Sequence, residues 1–310
     1  MDTNAKGTSP QALPVGDLRT GDILLMLGEG PLSDLIAWAS DGPYSHAAVV
    51  ADGGDLIEAA ASGVRRYPLA QRIADQANYH FIDAFRMHGP PDDADLADVL
   101  AKAESLLGIP YPIDQLALLG AIMAVRGKWP VHPWARLLVR VALDHALPDS
   151  TDGMVCSEVV YRAYAECAAT PAGRLAPEIV VGERGTAPFP DIDWKALFDE
   201  IWPLLKPRGR QALQSPQRQL NALRSGDIAG LDIASASAPE VSDEELERAR
   251  QAVLGQLGTG AIVAGKESDA RVAGEDPVDP DPNPRLVSPE DLAASPSVSL
   301  LGRLMQRPGG

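Results

Sequence analysis

Apolar residues in the first ninety positions fall in short blocks separated by turn chemistry, the pattern of strands rather than of long helices. Residues 21–27, GDILLML, follow a Gly-Asp turn and predict a buried strand. The block SDLIAWAS predicts a short amphipathic helix with Ser33 as its N-cap, ended by Gly42-Pro43. His46-Ala-Ala-Val-Val50 is a second apolar run, and Asp52-Gly53-Gly54-Asp55 after it is turn chemistry. The following run, Leu56 to Ala60, is therefore predicted to pair antiparallel with 46–50 as a hairpin. Val64 to Leu69 and Tyr79 to Arg86 supply two more strands, completing a small, largely antiparallel sheet.

Beyond residue 90 the period lengthens to that of helices. Leu96, Val99, Leu100, Ala103, Leu106 and Leu107 recur at helical spacing until Gly108 and Pro110 stop them. Ile113 to Val125, Trp134 to Leu147, Val155 to Ala169 and residues 192–205 predict four further helices, with Cys156 in the first turn of the third of these. After Pro207 aromatic residues vanish, and stretches such as EDPVDPDPNP (275–284) carry too little apolar surface to offset the entropy of ordering. The exception is Ser242-Asp-Glu-Glu245, a capping box that opens a helix near 242–257. The pattern thus divides the chain into an α+β domain over 14–205 and an acidic tail over 206–310, largely disordered but for that helix.

Charge narrows the function. With 43 acidic against 27 basic residues the net charge is −16, the wrong sign for a nucleic-acid partner or for electrostatic attachment to anionic lipid. Five histidines without HxxxH spacing and two cysteines without a CxxC pair predict no zinc site. Cys156 and Cys167, eleven apart on one predicted helix, would lie roughly 16 Å apart along its axis, too far to form a disulfide. No basic start with an apolar stretch opens the chain, and no segment approaches the roughly 20 apolar residues of a membrane span. The expected compartment is the cytoplasm, with export as an effector by a signal-independent route as the alternative.

Three residues stand out chemically. A thiol in an apolar segment is most often packing, because free cysteine is among the most buried residue types. Cys156, however, opens a helix, where unpaired N–H groups favour a thiolate and can donate to a developing oxyanion. His46 begins a strand. Glu58 places a carboxylate inside LIEAA, an otherwise apolar run. On adjacent hairpin strands His46 and Glu58 can meet, and the carboxylate would then fix the imidazole tautomer and hold the ring toward Cys156. Nucleophile, base and orienting group are the parts of a cysteine hydrolase.

The segments Gly21-Asp22-Ile23-Leu24, Ser45-His46-Ala-Ala-Val-Val50, Leu56-Ile57-Glu58-Ala59, Gly108-Ile109-Pro110-Tyr111 and Cys156-Ser157-Glu158-Val159 resemble NlpC-type papain-like cysteine hydrolases. His and Glu precede Cys here, an order similar to the circularly permuted, YiiX-like branch and shared by lecithin retinol acyltransferases. The matched motifs span roughly residues 14–170. The resemblance implies a permuted papain-like fold, with Cys156 as nucleophile, His46 as base and Glu58 as the third polar residue. It also implies Tyr111 as a hydroxyl near the oxyanion beside the Cys156 N–H, although Pro112 departs from the family pattern immediately after it. No metal or organic cofactor is implied.

The resulting expectation is cleavage of a peptide, isopeptide or cell-wall amide through an acyl-thioester. The alternatives are an acyl-lipid hydrolase or acyltransferase on the same residues, and a non-catalytic lipid- or protein-binding module. Asp22 reads as a turn or cap residue, and Asp41 and Tyr44 as candidates to line the cleft. The apolar residues Leu116, Leu118, Leu119, Ile122 and Met123 read as core packing or as a wall accepting an acyl chain.

Overall fold

The computed structural model describes residues 10–60, 62–89, 91–109, 115–146, 154–180, 187–201, 241–256 and 278–308. Its centre is a six-stranded antiparallel sheet in the order β4-β3-β2-β1-β5-β8. The strands are β1 (Ile23–Gly28), β2 (His46–Val50), β3 (Asp55–Ala60), β4 (Gly63–Pro68), β5 (Tyr79–Met87) and β8 (Val298–Gln306). The hairpin of β2 and β3 forms with Ala48 opposite Glu58 and Val50 opposite Leu56. Its turn runs through Gly53 and Gly54, whose φ values of 67° and 81° are reached by glycine without the clash a Cβ would bring.

Side chains alternate across the sheet, so each face collects its own apolar set. Leu24, Met26, Ala48, Val50, Leu56, Ile82 and Ala84 pack on one face with Leu69 of the short helix α2 (Leu69–Ala74). Ile23, Leu25, Ala47, Val49, Ile57, Ala59 and Phe85 join the main core with the other helices. Those include α1 (Pro31–Ala39), α3 (Asp93–Ser105), α4 (Gln115–Arg126), α5 (Pro133–Ala146), α6 (Cys156–Ala165) and α7 (Trp194–Ile201). Helix α1 starts two residues before the expected Ser33 cap: Gly30 is the N-cap and Pro31 the first helical residue, and Ser33 is buried inside the helix. Proline is favoured there because its missing N–H is one of the donors a helix start leaves unpaired.

Helices α4 and α5 cross closely. A Cβ on Gly120 would stand 2.0 Å from the carbonyl oxygen of Ala142. Leu116, Leu118, Leu119, Ile122 and Met123 are all buried within this core. Their apolar faces serve packing, and these residues present no free wall to an acyl chain. Gly120→Ala forces the two helices apart and is expected to destabilise the protein by about 1–3 kcal/mol, the range for overpacking. A thermal melt with an unchanged midpoint would contradict this crossing.

The C-terminal third departs from the expected tail. Helix α8 (Asp243–Gln256) lies where the capping box predicts it, but it is docked, burying Leu246, Val253 and Leu254. Arg250 Nε donates to the Ala124 carbonyl at 2.6 Å, and Arg136 Nε donates to the Val241 carbonyl at 2.8 Å. Further on, β7 (Val278–Asp279) pairs with β6 (Ile179–Val180). Helix α9 (Pro289–Ala293) packs near α6, and β8 completes the main sheet beside β5. A domain ending near 205 therefore omits a strand of the sheet. Two register shifts in the β5–β8 pairing break the alternation that would have advertised that strand in the sequence.

Among the described residues, no helix is long and apolar enough to cross a membrane. Cys156 and Cys167 are both free thiols and both buried. Cys167 lies two residues past the end of α6 rather than within it, and its thiol donates to the Tyr164 carbonyl at 3.2 Å.

Candidate active site

The site gathers where the first residue of β2 meets the first residue of α6. His46 opens β2, and Cys156 opens α6 with Val155 as its N-cap. The helix start is held from three sides. Glu158 turns back to accept the Val155 N–H at 3.2 Å, satisfying one of the donors left by the first turn. Arg162 Nε donates to Glu158 at 2.8 Å. Ser157 Oγ donates to the Val287 carbonyl at 2.6 Å, tying the helix to the C-terminal segment. Burial pushes the Glu158 carboxyl above its ordinary value, with Arg162 offsetting part of that effect.

The expected hairpin contact forms. In this register His46 and Glu58 are diagonal neighbours on one face, close enough for their side chains to meet. His46 Nε2 and Glu58 Oε2 lie 3.0 Å apart. The carboxylate makes this nitrogen the donor, which leaves Nδ1 as the remaining ring nitrogen. Cys156 lies within hydrogen-bonding influence of the same imidazole. His46 and Glu58 share the sheet face of Ala48 and Met26, whereas Cys156 belongs to the main core.

Burial is extreme for such polar groups. Glu58 is 0% exposed, Cys156 1% and His46 8%. A carboxylate in that position must be compensated, and three cationic partners do so. Glu58 Oε1 accepts Arg65 Nε at 3.1 Å, Arg65 Nη2 at 2.8 Å and Arg72 Nη2 at 2.5 Å, while Oε2 faces His46. Burial acts to raise the Glu58 carboxyl, but His46, Arg72 and Arg65 outweigh it and bring the pKa down to about 2. Burial likewise acts to lower the His46 imidazole. Tyr79, Cys156 and Glu58 outweigh it, so the ring titrates well above its ordinary 6.5. The surroundings thus favour the charged form of the ring, the form it reaches when Nδ1 takes up a proton.

Of the residues singled out in the sequence, His46, Glu58 and Cys156 come together, and Tyr111 lies outside the described residues. Gly108 and Ile109, just before it, exchange backbone hydrogen bonds with Val64 of β4 at 2.9 and 3.0 Å. Asp22 is a structural anchor: it accepts the Arg19 N–H at 2.7 Å and a pair of bonds from Arg86 at 2.6 and 2.7 Å. Asp41 binds Lys128 at 2.5 Å and the Ala187 N–H at 3.2 Å, and Tyr44 donates to buried Asp83 at 3.0 Å. Both are held in packing networks of their own.

Sequence reasoning passed over Arg65, Arg72 and Tyr79. Arg65 had a legible signal, since it faces Glu58 across the β3–β4 hairpin. Arg72, in LAQRIA, and Tyr79, at a strand start, carried none. Among the described residues, no group of three or more His, Cys, Asp or Glu is arranged to hold a metal ion.

No family model and no curated protein matches the chain. Among solved structures it is similar to the metalloprotein yiiX from Escherichia coli O157:H7. The identity is 16% and the TM-score 0.41, over 93% of this chain and 98% of that one.

Proposed function

We propose that the protein is a cysteine hydrolase that cleaves an amide through an acyl-thioester on Cys156. The observation that carries this assignment is the buried relay in which Glu58 binds one side of the His46 imidazole and Cys156 sits against it at a helix N-terminus. His46 Nδ1 takes the Cys156 proton, and the thiolate attacks the carbonyl carbon. The Cys156 N–H donates to the oxyanion, with Tyr111 as a further hydroxyl there. The same proton passes to the departing amine, leaving the thioester. Water, deprotonated by His46, then releases the acid and restores the thiol. Glu58 stays ionised throughout and holds the ring. The permuted papain-like arrangement is part of this proposal, carried by the order of the motifs. An amide is favoured over an acyl lipid because the apolar residues of α4 considered as a wall for a chain are buried in the core.

Alkylation by iodoacetamide, read separately at the two cysteines by peptide mass spectrometry, tests the assignment. At neutral pH Cys156 is expected to react faster than Cys167, and His46→Ala to slow Cys156 by about tenfold or more while leaving Cys167 unchanged. Equal behaviour of the two thiols, or indifference of Cys156 to His46, would sink the catalytic assignment in favour of a binding module.

A further inference from the structure

Glu58 has two oxygens, and the site uses them differently. Oε2 is left for His46, while Oε1 receives the three arginine N–H groups. The two arginines are not equivalent. The Arg65 side chain is 37% exposed, and solvent screens it; that of Arg72 is 4% exposed, and its charge acts undiminished. Arg72 is also clamped by rings. Its guanidinium lies 4.6 Å from the centroid of Tyr67 and 4.6 Å from that of Tyr79, and Tyr79 in turn lies 6.1 Å from the His46 ring, tilted by 41°. Its Nε has no hydrogen-bond partner among the described residues. A buried arginine placed for its own satisfaction would not leave a donor orphaned. This one is placed for Glu58 and the rings.

We propose that Arg72 is a positioning residue of this site: it fixes Oε1 of Glu58 and, by sharing that carboxylate's charge, weakens its hold on the His46 imidazolium. This rests on the roles assigned above to Cys156, His46 and Glu58. The other charged and titratable groups that face the pair are Arg65 and Tyr67 from β4, Asp75 after α2, Tyr79 from β5 and Cys156 from α6. Asp75 lies 3.4 Å from Arg72 Nη1, whereas Glu58 takes Nη2. Removing the Arg72 charge has a definite sign. Glu58 loses a cation and becomes easier to protonate. His46 loses a like charge and faces a carboxylate then shared only with the more exposed Arg65, so its imidazolium persists to higher pH.

Arg72→Met and Arg72→Gln, with Arg72→Lys as the rescue, test this by NMR titration of protein labelled at histidine and glutamate, with the His46 signal assigned by its loss in His46→Ala. The midpoints of both Glu58 and His46 are expected to rise by about one pH unit, and Arg72→Lys to return them most of the way. Simple loosening of the site moves His46 the other way, toward 6.5, as water enters. A His46 midpoint that stays put or falls in whichever uncharged variant folds overturns the proposal. The cysteine alkylation series separates the two claims. If Cys156 is indifferent to His46 in the wild type, the hydrolase assignment fails while the titration still decides the role of Arg72. If Cys156 depends on His46 but the midpoints do not move, Arg72 alone is wrong.

Discussion

A chain truncated after Gln256 is expected not to fold cooperatively. The segment it lacks supplies β8, which pairs with β5 from Val298 opposite Met87 to Gln306 opposite Phe81. It also supplies Val287, Leu292, Val298 and Met305, all buried. At about 1.5–3 kcal/mol for each buried side chain, these four alone contribute roughly 6–12 kcal/mol, comparable with the whole stability of a typical domain. A second loss adds to this. Arg303 makes paired hydrogen bonds of 2.7 and 2.9 Å to Asp83, which is 1% exposed, so truncation strands a buried carboxylate. The truncated protein should lack near-ultraviolet circular dichroism and a sigmoidal melt. A cooperative transition within a few degrees of the full chain would show that the sheet does not need its sixth strand.

Glu58→Ala is expected to destabilise the protein by about 3–5 kcal/mol, the cost of leaving a buried charge without its partner. Arg72 is the buried group that loses its closest partner, and Asp75, 3.4 Å from Nη1, offsets only part of that loss. The pH dependence gives the signature. Glu58 titrates at about 2 in the folded chain against an ordinary 4.5, so its contribution is full above 4.5 and is lost as pH falls toward 2. His46 is raised, so its contribution is full below 6.5 and is lost as pH climbs through its elevated folded value. Urea unfolding of wild type and Glu58→Ala should therefore show curves that converge between pH 5 and 2 and stay apart near neutrality. A gap independent of pH would mean that the loss is one of packing, not of charge.

Much of the sheet was legible because local chemistry and tertiary need agree there. The Asp-Gly-Gly-Asp turn sets the β2–β3 hairpin, and the hairpin register brings His46 and Glu58 within reach. The start of α6 was legible for the same reason, since the apolar period begins at Val155. What stayed hidden depends on partners distant in sequence. Arg72 and Tyr79 acquire their meaning when α2 packs on the sheet and β5 pairs with β1, an arrangement no spacing announces. In the C-terminal third, three apolar residues of α8 are enough to dock it, because the complementary surface on α4 and α5 already exists. Low average hydropathy conceals such a stripe. In β8 the bulged pairing removes the period-two signal.

The hydrogen bonds between Asp83 and Arg303 span 220 positions of the chain. During synthesis β5 therefore emerges long before the strand that covers it. Until β8 leaves the ribosome, the nascent protein carries an open sheet edge along β5, the kind of surface that recruits other chains. The segment tied to the start of α6 through Val287 arrives equally late. Closure of the sheet and anchoring of α6 thus both wait for these late residues, and a product terminated before β8 is an aggregation hazard rather than a partly folded protein.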